Sequence, residues 1–219
     1  MRATTLYVVD DQAMIRAALR SLLQAEPDFE VVGDTDDGRV AAREVADLRP
    51  DVVLMDISMP GLSGIDAIPL VRKASSRTRV VMLTHHEGES FVDQAMKAGA
   101  DAYLSKDSDP AELIVALKAV LRGDPYLSPR VTKGVVSRMR DPLGAELSAP
   151  ASRIASLTPR EREVFQLLAL GKANKEVAMA LSISLGTVKK HRENLQRKLD
   201  CHSAAELARL AIREGLLDS

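Results

Sequence analysis

The sequence predicts two folds in one chain. The first is an α/β doubly wound domain built on a five-stranded parallel sheet over residues 1–125; the second is an all-α four-helix domain over residues 153–219. Three observations predict them. The front half alternates short β-branched runs with helical periodicity, the back half has no strand-like run, and four of the ten prolines fall between residues 125 and 150.

In the front half, Leu6–Val9, Val31–Val32, Val52–Met55, Val80–Leu83 and Ala102–Leu104 read as strands. They lack polar/apolar alternation, as parallel strands covered on both faces do. Between them, Ile15, Ala18, Leu19, Leu22 and Leu23 follow the stripe of an amphipathic helix. Leu113, Val115, Leu117, Val120 and Leu121 suggest another, opened by Asp109 with Pro110 at its first position. Such domains carry their sites at the carboxyl ends of the strands.

The stretch 126–152 has linker chemistry, with a possible short helix over 131–139. Beyond it, Thr158-Pro159-Arg160-Glu161 is a capping box opening a helix that ends at Gly171. Asn174 is the expected cap of a second helix, Ser184 of a third reaching about Leu199, and Ser203 to Glu206 form another box for a fourth that stops at Gly215. The pair around Leu181–Ser184 has helix-turn-helix spacing.

With 219 residues, 46% of them hydrophobic and 28% charged, the chain can build a core in each domain. Its net charge of −1 excludes a uniformly basic nucleic-acid coat, but conceals a division. Residues 1–125 hold 14 basic and 21 acidic side chains, a net −7; residues 126–152 are +2; residues 153–219 hold 12 and 8, a net +4. No apolar run approaches the ~18 residues of a membrane span, and Asp10-Asp11 come too early for a signal peptide. One cysteine, Cys201, excludes an intrachain disulfide and a Cys-cluster metal site, so a reducing cytoplasm is expected. With 3% aromatics and no Trp, an aromatic base-stacking platform is disfavoured.

Asp10 and Asp11 follow the first strand, and Asp56 follows the third. If those strands are neighbours, three carboxylates converge on one rim and call for a cation; hard oxygen ligands with room for water suit Mg²⁺. Thr84 after the fourth strand and Lys106 after the fifth add a hydroxyl donor and an ammonium, a set able to hold a phosphoryl group during in-line transfer. The competing reading of any one acid is an ordinary loop residue. Five suitable residue types at strand ends weigh against coincidence.

Val8-Val9-Asp10-Asp11, Leu54 to Gly61 with Gly64, Leu83-Thr84 and Gly99 to Lys106 resemble the receiver domain of bacterial two-component response regulators, a flavodoxin-like fold. The resemblance implies that Asp56 accepts phosphate from a sensor histidine kinase. It further implies that Asp11 and the Ser58 carbonyl bind Mg²⁺ with Asp56, Asp10 acting through water. Thr84 and Lys106 would contact the phosphoryl oxygens, and Tyr103 would change rotamer with Thr84. His86 and Ser58 occupy positions that tune dephosphorylation in this family, so slow self-dephosphorylation is expected of a chain that is otherwise no enzyme. The neighbouring His85 and His86 also raise a metal, against the alternative of a solvated loop. Two departures bear on local structure: Lys106 precedes Asp107 instead of proline, and Pro69 must sit in the first turn of its helix or kink it.

On the third helix of the back half, Val188, Leu195 and Leu199 share one face, with Gly186, Lys190, Glu193 and Arg197 roughly opposite and Lys189 beside them. That is the form of a recognition helix, although charge alone equally describes a solvated surface. Leu157 to Val164, Gly171 to Ala178, Ile183-Ser184 and Thr187 to His191 resemble the LuxR-type DNA-binding domain. The whole chain therefore looks like a NarL/FixJ-type response regulator. The resemblance places Lys189, Lys190 and Glu193 toward bases, and Lys175, Thr187, Arg197 and Lys198 near phosphates of promoter DNA. Either lysine can pair with guanine, whereas Glu193 can accept only from a donor such as cytosine N4. A homodimer is expected on DNA or on phosphorylation, since one small module reads few base pairs; RNA polymerase is a possible further partner. Ala173 replaces the more usual Ser and Cys201 the more usual Val, with packing the expected role of Cys201.

Two readings compete. A phosphorylation-independent regulator would keep the fold with a vestigial acid site. An aspartyl-phosphate phosphotransferase would need a second Asp two residues beyond the nucleophile, where Ser58 stands. Flavin binding is disfavoured because the first strand leads into Asp-Asp.

Overall fold

The computed structural model describes residues 2–59, 61–86, 88–132, 157–201 and 203–213. They form two compact units.

The first unit is a parallel sheet of order β2-β1-β3-β4-β5-β6. Its elements are β1 (Thr4–Val9), α1 (Ala13–Gln24), β2 (Phe29–Thr35), α2 (Gly38–Leu48), β3 (Val52–Met55), α3 (Gly64–Ala74), β4 (Arg79–Thr84), α4 (Glu89–Ala98), β5 (Ala102–Ser105), α5 (Pro110–Arg122) and β6 (Tyr126–Leu127). The doubly wound fold is as expected, with one correction: the sheet has six strands. The sixth lies in the stretch read as linker, where Tyr126 and Leu127 pair with Ala102 and Tyr103. Beyond it the backbone is helical over 129–132; the rest of the helix expected to 139 lies outside the described residues.

Successive strand residues point to opposite faces. One set, including Leu6, Val8, Leu54, Val81 and Leu104, packs with Leu23 of α1 and with Leu113, Ala116, Leu117 and Val120 of α5. The other set includes Tyr7, Val53, Met55, Met82 and Tyr103, all 0% exposed. The two apolar stripes are narrower than expected. Ala18 faces solvent, as do Val115 at 54% and Leu121 at 39% exposure. Pro69 lies past the first turn of α3, yet the helix continues. Pro69 is exposed, so its missing N–H falls on the side water reaches.

Ion pairs fasten the loops below this core. Arg72 on α3 donates to the carbonyls of Gly99 and Thr78 and to the Asp101 carboxylate, which also accepts from Val80 N–H and Arg79.

The second unit contains α6 (Pro159–Ala169), α7 (Asn174–Ala180), α8 (Leu185–Leu199) and α9 (Ala204–Arg213). The box at Thr158 is complete: Glu161 N–H donates to the Thr158 hydroxyl and Thr158 N–H to the Glu161 carboxylate. Ser184 accepts from Thr187 N–H, and Ser203 with Glu206 forms the reciprocal pair ahead of α9. The end of α9 expected at Gly215 lies outside the described residues. The cap of α7 differs from expectation. Ala173 is the N-cap, and Asn174, the first helical residue, accepts instead from Arg192 on α8. Val188, Leu195 and Leu199 are fully buried as the wheel predicts. Cys201, at 8% exposure, belongs to the same core. Among the described residues no helix is long and apolar enough to cross a membrane.

Two glycines test these packing statements with opposite signs. A Cβ on Gly64 would lie 1.8 Å from the Asp56 carbonyl oxygen, whereas one on Gly186 meets only the Ser184 hydroxyl at 3.6 Å. In urea unfolding, Gly64→Ala is expected to cost about 3 kcal/mol in the first unit. Gly186→Ala is expected to stabilise the second by up to ~1 kcal/mol.

Candidate functional site

Parallel strands in the order β1-β3-β4-β5 bring their carboxyl ends to one rim. Asp10 and Asp11 leave β1, Asp56 leaves β3 beside it, Thr84 ends β4, and Lys106 follows β5. Ligating oxygens of Asp10, Asp11 and Asp56 lie within 4.8 Å of one another. Asp10 and Asp56 are 2% and 3% exposed, and Asp11 is the most open of the three. The Lys106 ammonium, itself buried, donates to Asp10 Oδ2 at 2.7 Å and to Asp56 Oδ2 at 2.9 Å.

Asp56 and Asp10 are oriented from behind. Asp56 Oδ1 accepts from Ile57 N–H at 2.7 Å. Gly64 lets the start of α3 press against the Asp56 carbonyl and fixes the loop between them. Asp10 is held at every polar atom. Its N–H donates to Thr35, its Oδ1 accepts from Gln12 N–H, and its carbonyl accepts from Arg16 Nη1 at 2.6 Å. The Arg16 Nε donates in turn to Asp34 Oδ1 at 3.1 Å, and Arg20 Nη2 to Asp34 Oδ2 at 2.5 Å. Sequence reasoning missed Arg16 because its partner Asp34 is 18 residues away on β2. The available signal was an arginine one turn into the helix that follows the acid pair.

The electrostatics are those of clustered anions. Burial raises the Asp10 carboxyl above the usual carboxylate range, against the pull of Lys106. Burial and then repulsion from Asp56 and Asp10 raise Asp11. For Lys106 burial acts downward, but Asp56 and Asp10 outweigh it and hold the ammonium protonated beyond its ordinary range. Three carboxylates against one ammonium leave two negative charges uncompensated within the cluster. An all-oxygen donor set with that imbalance fits Mg²⁺.

Thr84 and Tyr103 are both fully buried and meet through His86. His86 N–H donates to the Thr84 hydroxyl at 3.3 Å, and the Tyr103 hydroxyl donates to the His86 carbonyl at 2.6 Å. The His86 ring is hydrogen-bonded to the Ser58 hydroxyl and stacks on Phe91 of α4. His85 pairs with Asp107. Neither histidine belongs to a metal-competent cluster among the described residues.

In the second unit Lys175, Thr187, Lys189, Lys190, Glu193 and Arg197 are exposed. Thr187 is less free than its exposure suggests, since its hydroxyl bonds to Ser184 Oγ at 2.8 Å. Arg197 donates to Asn194. Lys198 turns inward to the Glu161 carboxylate at 2.6 Å, joining α8 to the capping box of α6. Burial acts to raise Glu161, yet Lys198 and Thr158 together hold it below its ordinary value.

An acid pocket closed by a lysine on a doubly wound sheet, joined to a helix-turn-helix unit, defines a regulator with separate receiving and DNA-binding parts. A family model described as "Response regulator receiver domain" matches residues 6–118, and one described as "Bacterial regulatory proteins, luxR family" matches 155–211. The transcriptional regulatory protein LiaR of Bacillus subtilis (strain 168) is 37% identical over 96% of this chain and 98% of its own length. The nitrate/nitrite response regulator NarL of Escherichia coli (strain K12) is 33% identical over 93% of each. Among solved structures, a LuxR-family two-component response regulator from Aurantimonas sp. SI85-9A1 matches with a TM-score of 0.62 and 33% identity, covering 64% of this chain and all of that one. The response regulator ChrA of a heme-sensing system matches at 0.54 and 29%, over 99% and 100%. The chain belongs to the NarL/LuxR-type response regulators of two-component systems, DNA-binding regulators of transcription.

Because its ionised form is disfavoured by burial and by two like charges, Asp11 opposes folding while the cluster lacks a cation. Asp11→Asn is therefore expected to raise the Tm of the metal-free chain by about 2 °C. Millimolar Mg²⁺ is expected to raise the Tm of the unsubstituted protein further, and the same substitution to abolish that rise. Differential scanning calorimetry with and without Mg²⁺ checks both arms.

Proposed function

We propose that Asp56 accepts a phosphoryl group from a sensor histidine kinase in the cytoplasm and that this controls promoter binding by α8. The observation that carries the reading is the buried Lys106 ammonium shared by Asp10 and Asp56 at the rim where Asp11 and Thr84 also end. An Asp56 oxygen forms the P–O bond as the P–N bond to the donor histidine breaks, and the electron pair leaves on the imidazole nitrogen, which takes up a proton. Lys106 and the Thr84 hydroxyl would neutralise and orient the transferred oxygens. Asp11, Asp56 and the Ser58 carbonyl would hold Mg²⁺ directly and Asp10 would act through water; when bound, the ion supplies charge neutralisation for the incoming dianion. Slow loss of the group with His86 and Ser58 nearby belongs to the same reading.

We read the receiver as continuing through β6, with a linker after it and the DNA-binding domain over residues 153–219. In that domain Lys189, Lys190 and Glu193 face the bases, while Lys175, Thr187 and Arg197 lie near phosphates, which set register without reading sequence. Lys198 reaches a phosphate only by sharing or leaving Glu161. The response regulator RcsB offers a parallel for assembly. In one of its structures two RcsB dimers are bound to two parallel DNAs, and at 20% identity the likeness to this chain is one of fold. We read a homodimer on paired half-sites here too, with RNA polymerase a possible contact. A receiver whose active state is a few per cent populated needs only ~2–3 kcal/mol of bias to switch, within reach of one charged group.

Two experiments test this. Acetyl phosphate with Mg²⁺ is expected to label the unsubstituted chain and leave Asp56→Asn unlabelled; label surviving that substitution refutes the acceptor. Lys189→Ala with Lys190→Ala is expected to weaken operator binding ~100-fold or more in a mobility-shift titration, with the circular dichroism spectrum unchanged.

A further inference from the structure

We infer that Arg16 is a positioning residue for the cation site. Its guanidinium, clamped by Asp34, sets the Asp10–Asp11 loop in the geometry that binds a divalent ion. The inference rests on the proposed Mg²⁺-dependent reading of the acid cluster. Arg16 sits in the first turn of α1, where its N–H donates to the Gln12 carbonyl. The side chain turns back to the Asp10 carbonyl at 2.6 Å with Nη1, while Nε holds Asp34 Oδ1 at 3.1 Å. Two different nitrogens of one planar fork thus tie the loop after β1 to the end of β2. The side chain is 18% exposed, so the bonds are partly shielded from water. Arg20 takes the other Asp34 oxygen and holds that carboxylate in place. With its N–H on Thr35, its Oδ1 on Gln12 and its Oδ2 on Lys106, the Asp10 backbone carbonyl is the atom through which α1 grips the loop. Asp11 follows directly, and its carboxylate accepts a hydrogen bond from its own backbone, so it is aimed by the backbone that Arg16 holds.

Charge and position predict opposite signs, which makes the inference testable. Arg16 is a cation close to a cation site. If it acted by charge alone, removing it would tighten binding of a divalent ion. If it positions the loop, removing it loosens binding although a repulsive charge has gone. Mn²⁺ serves as the probe, its free concentration followed by electron paramagnetic resonance on the full-length chain, with Tm measured in parallel. Arg16→Ala is expected to weaken Mn²⁺ binding about tenfold. Arg16→Lys, which keeps the charge but cannot reach both acceptors with a fork, is expected to weaken it about threefold. Unchanged or tighter binding by Arg16→Ala, whatever its Tm, overturns the inference. Should Arg16→Ala fail to fold, Arg16→Lys decides alone: binding equal to the unsubstituted chain overturns the positioning role. Asp11→Asn separates this from the underlying reading, because Mn²⁺ binding that ignores Asp11→Asn places the ion elsewhere and overturns both.

Discussion

The first unit depends on one charge arrangement, the Lys106 ammonium shared between Asp10 and Asp56. Each contact is worth of order 5 kcal/mol of gross attraction at the effective dielectric near a protein surface, and burying each ion costs several kcal/mol in return. Near-cancellation of such terms makes the pocket poor as a source of stability. Its value is in placement. The Lys106 side chain is 4% exposed and its ammonium reaches two acids from different strands, so β1, β3 and β5 must present their carboxyl ends in register. Register follows from the apolar runs: Leu6 lies opposite Val52, Val52 opposite Arg79, and Thr84 opposite Ser105. A slip of one residue would turn each strand's inner set over.

Compensation by Lys106 is incomplete, and on the proposed reading the shortfall is what a divalent cation answers. Burial and mutual repulsion raise the carboxyls of Asp10 and Asp11, a sign that the cluster is strained in its metal-free form. Strain of this kind persists where the surrounding structure is firm enough to carry it. That firmness is visible in the fully buried strand residues beneath the rim and in the close approach of Gly64 to the Asp56 carbonyl. The second unit shows the reverse economy. Its buried carboxylates among the described residues, Glu161 and Glu163, are paired with Lys198 and Arg160, while Lys175, Lys189 and Lys190 of the helix-turn-helix are exposed.

Much of this was legible from residue order because it depends on short-range rules. Strand ends, the capping boxes at Thr158 and Ser203, and the buried seam of α8 all follow from periodicity and local hydrogen bonding. The misses share a cause. β6 is two residues long and acquires strand character only by pairing with β5, so no pattern announces it. Val115 and Leu121 continue an apolar stripe that the sheet is too narrow to cover, and burial is a property of the partner surface. Asn174 looked like a cap, but the chain enters α7 one residue earlier and gives Asn174 to Arg192. The Arg16–Asp34 and His86–Ser58 contacts span 18 and 28 residues, where sequence spacing carries no geometric information.

His86 joins four groups around the site. Its N–H is on Thr84, its carbonyl takes the Tyr103 hydroxyl, and its ring lies against Ser58 on one side and Phe91 of α4 on the other. On the proposed reading, a phosphoryl group on Asp56 draws the Thr84 hydroxyl and lies two residues from Ser58. Either pull acts on the same short segment. Because Tyr103 is fully buried and bonded to that segment's carbonyl, it cannot stay in place while His86 moves unless that bond is broken or water replaces it. A packed interior favours discrete rearrangement over gradual yielding. The surface that changes is then the one formed by α4 and β5. Ser58, Thr84, His86 and Tyr103 form one hydrogen-bonded strip, which meets α4 where the His86 ring stacks on Phe91.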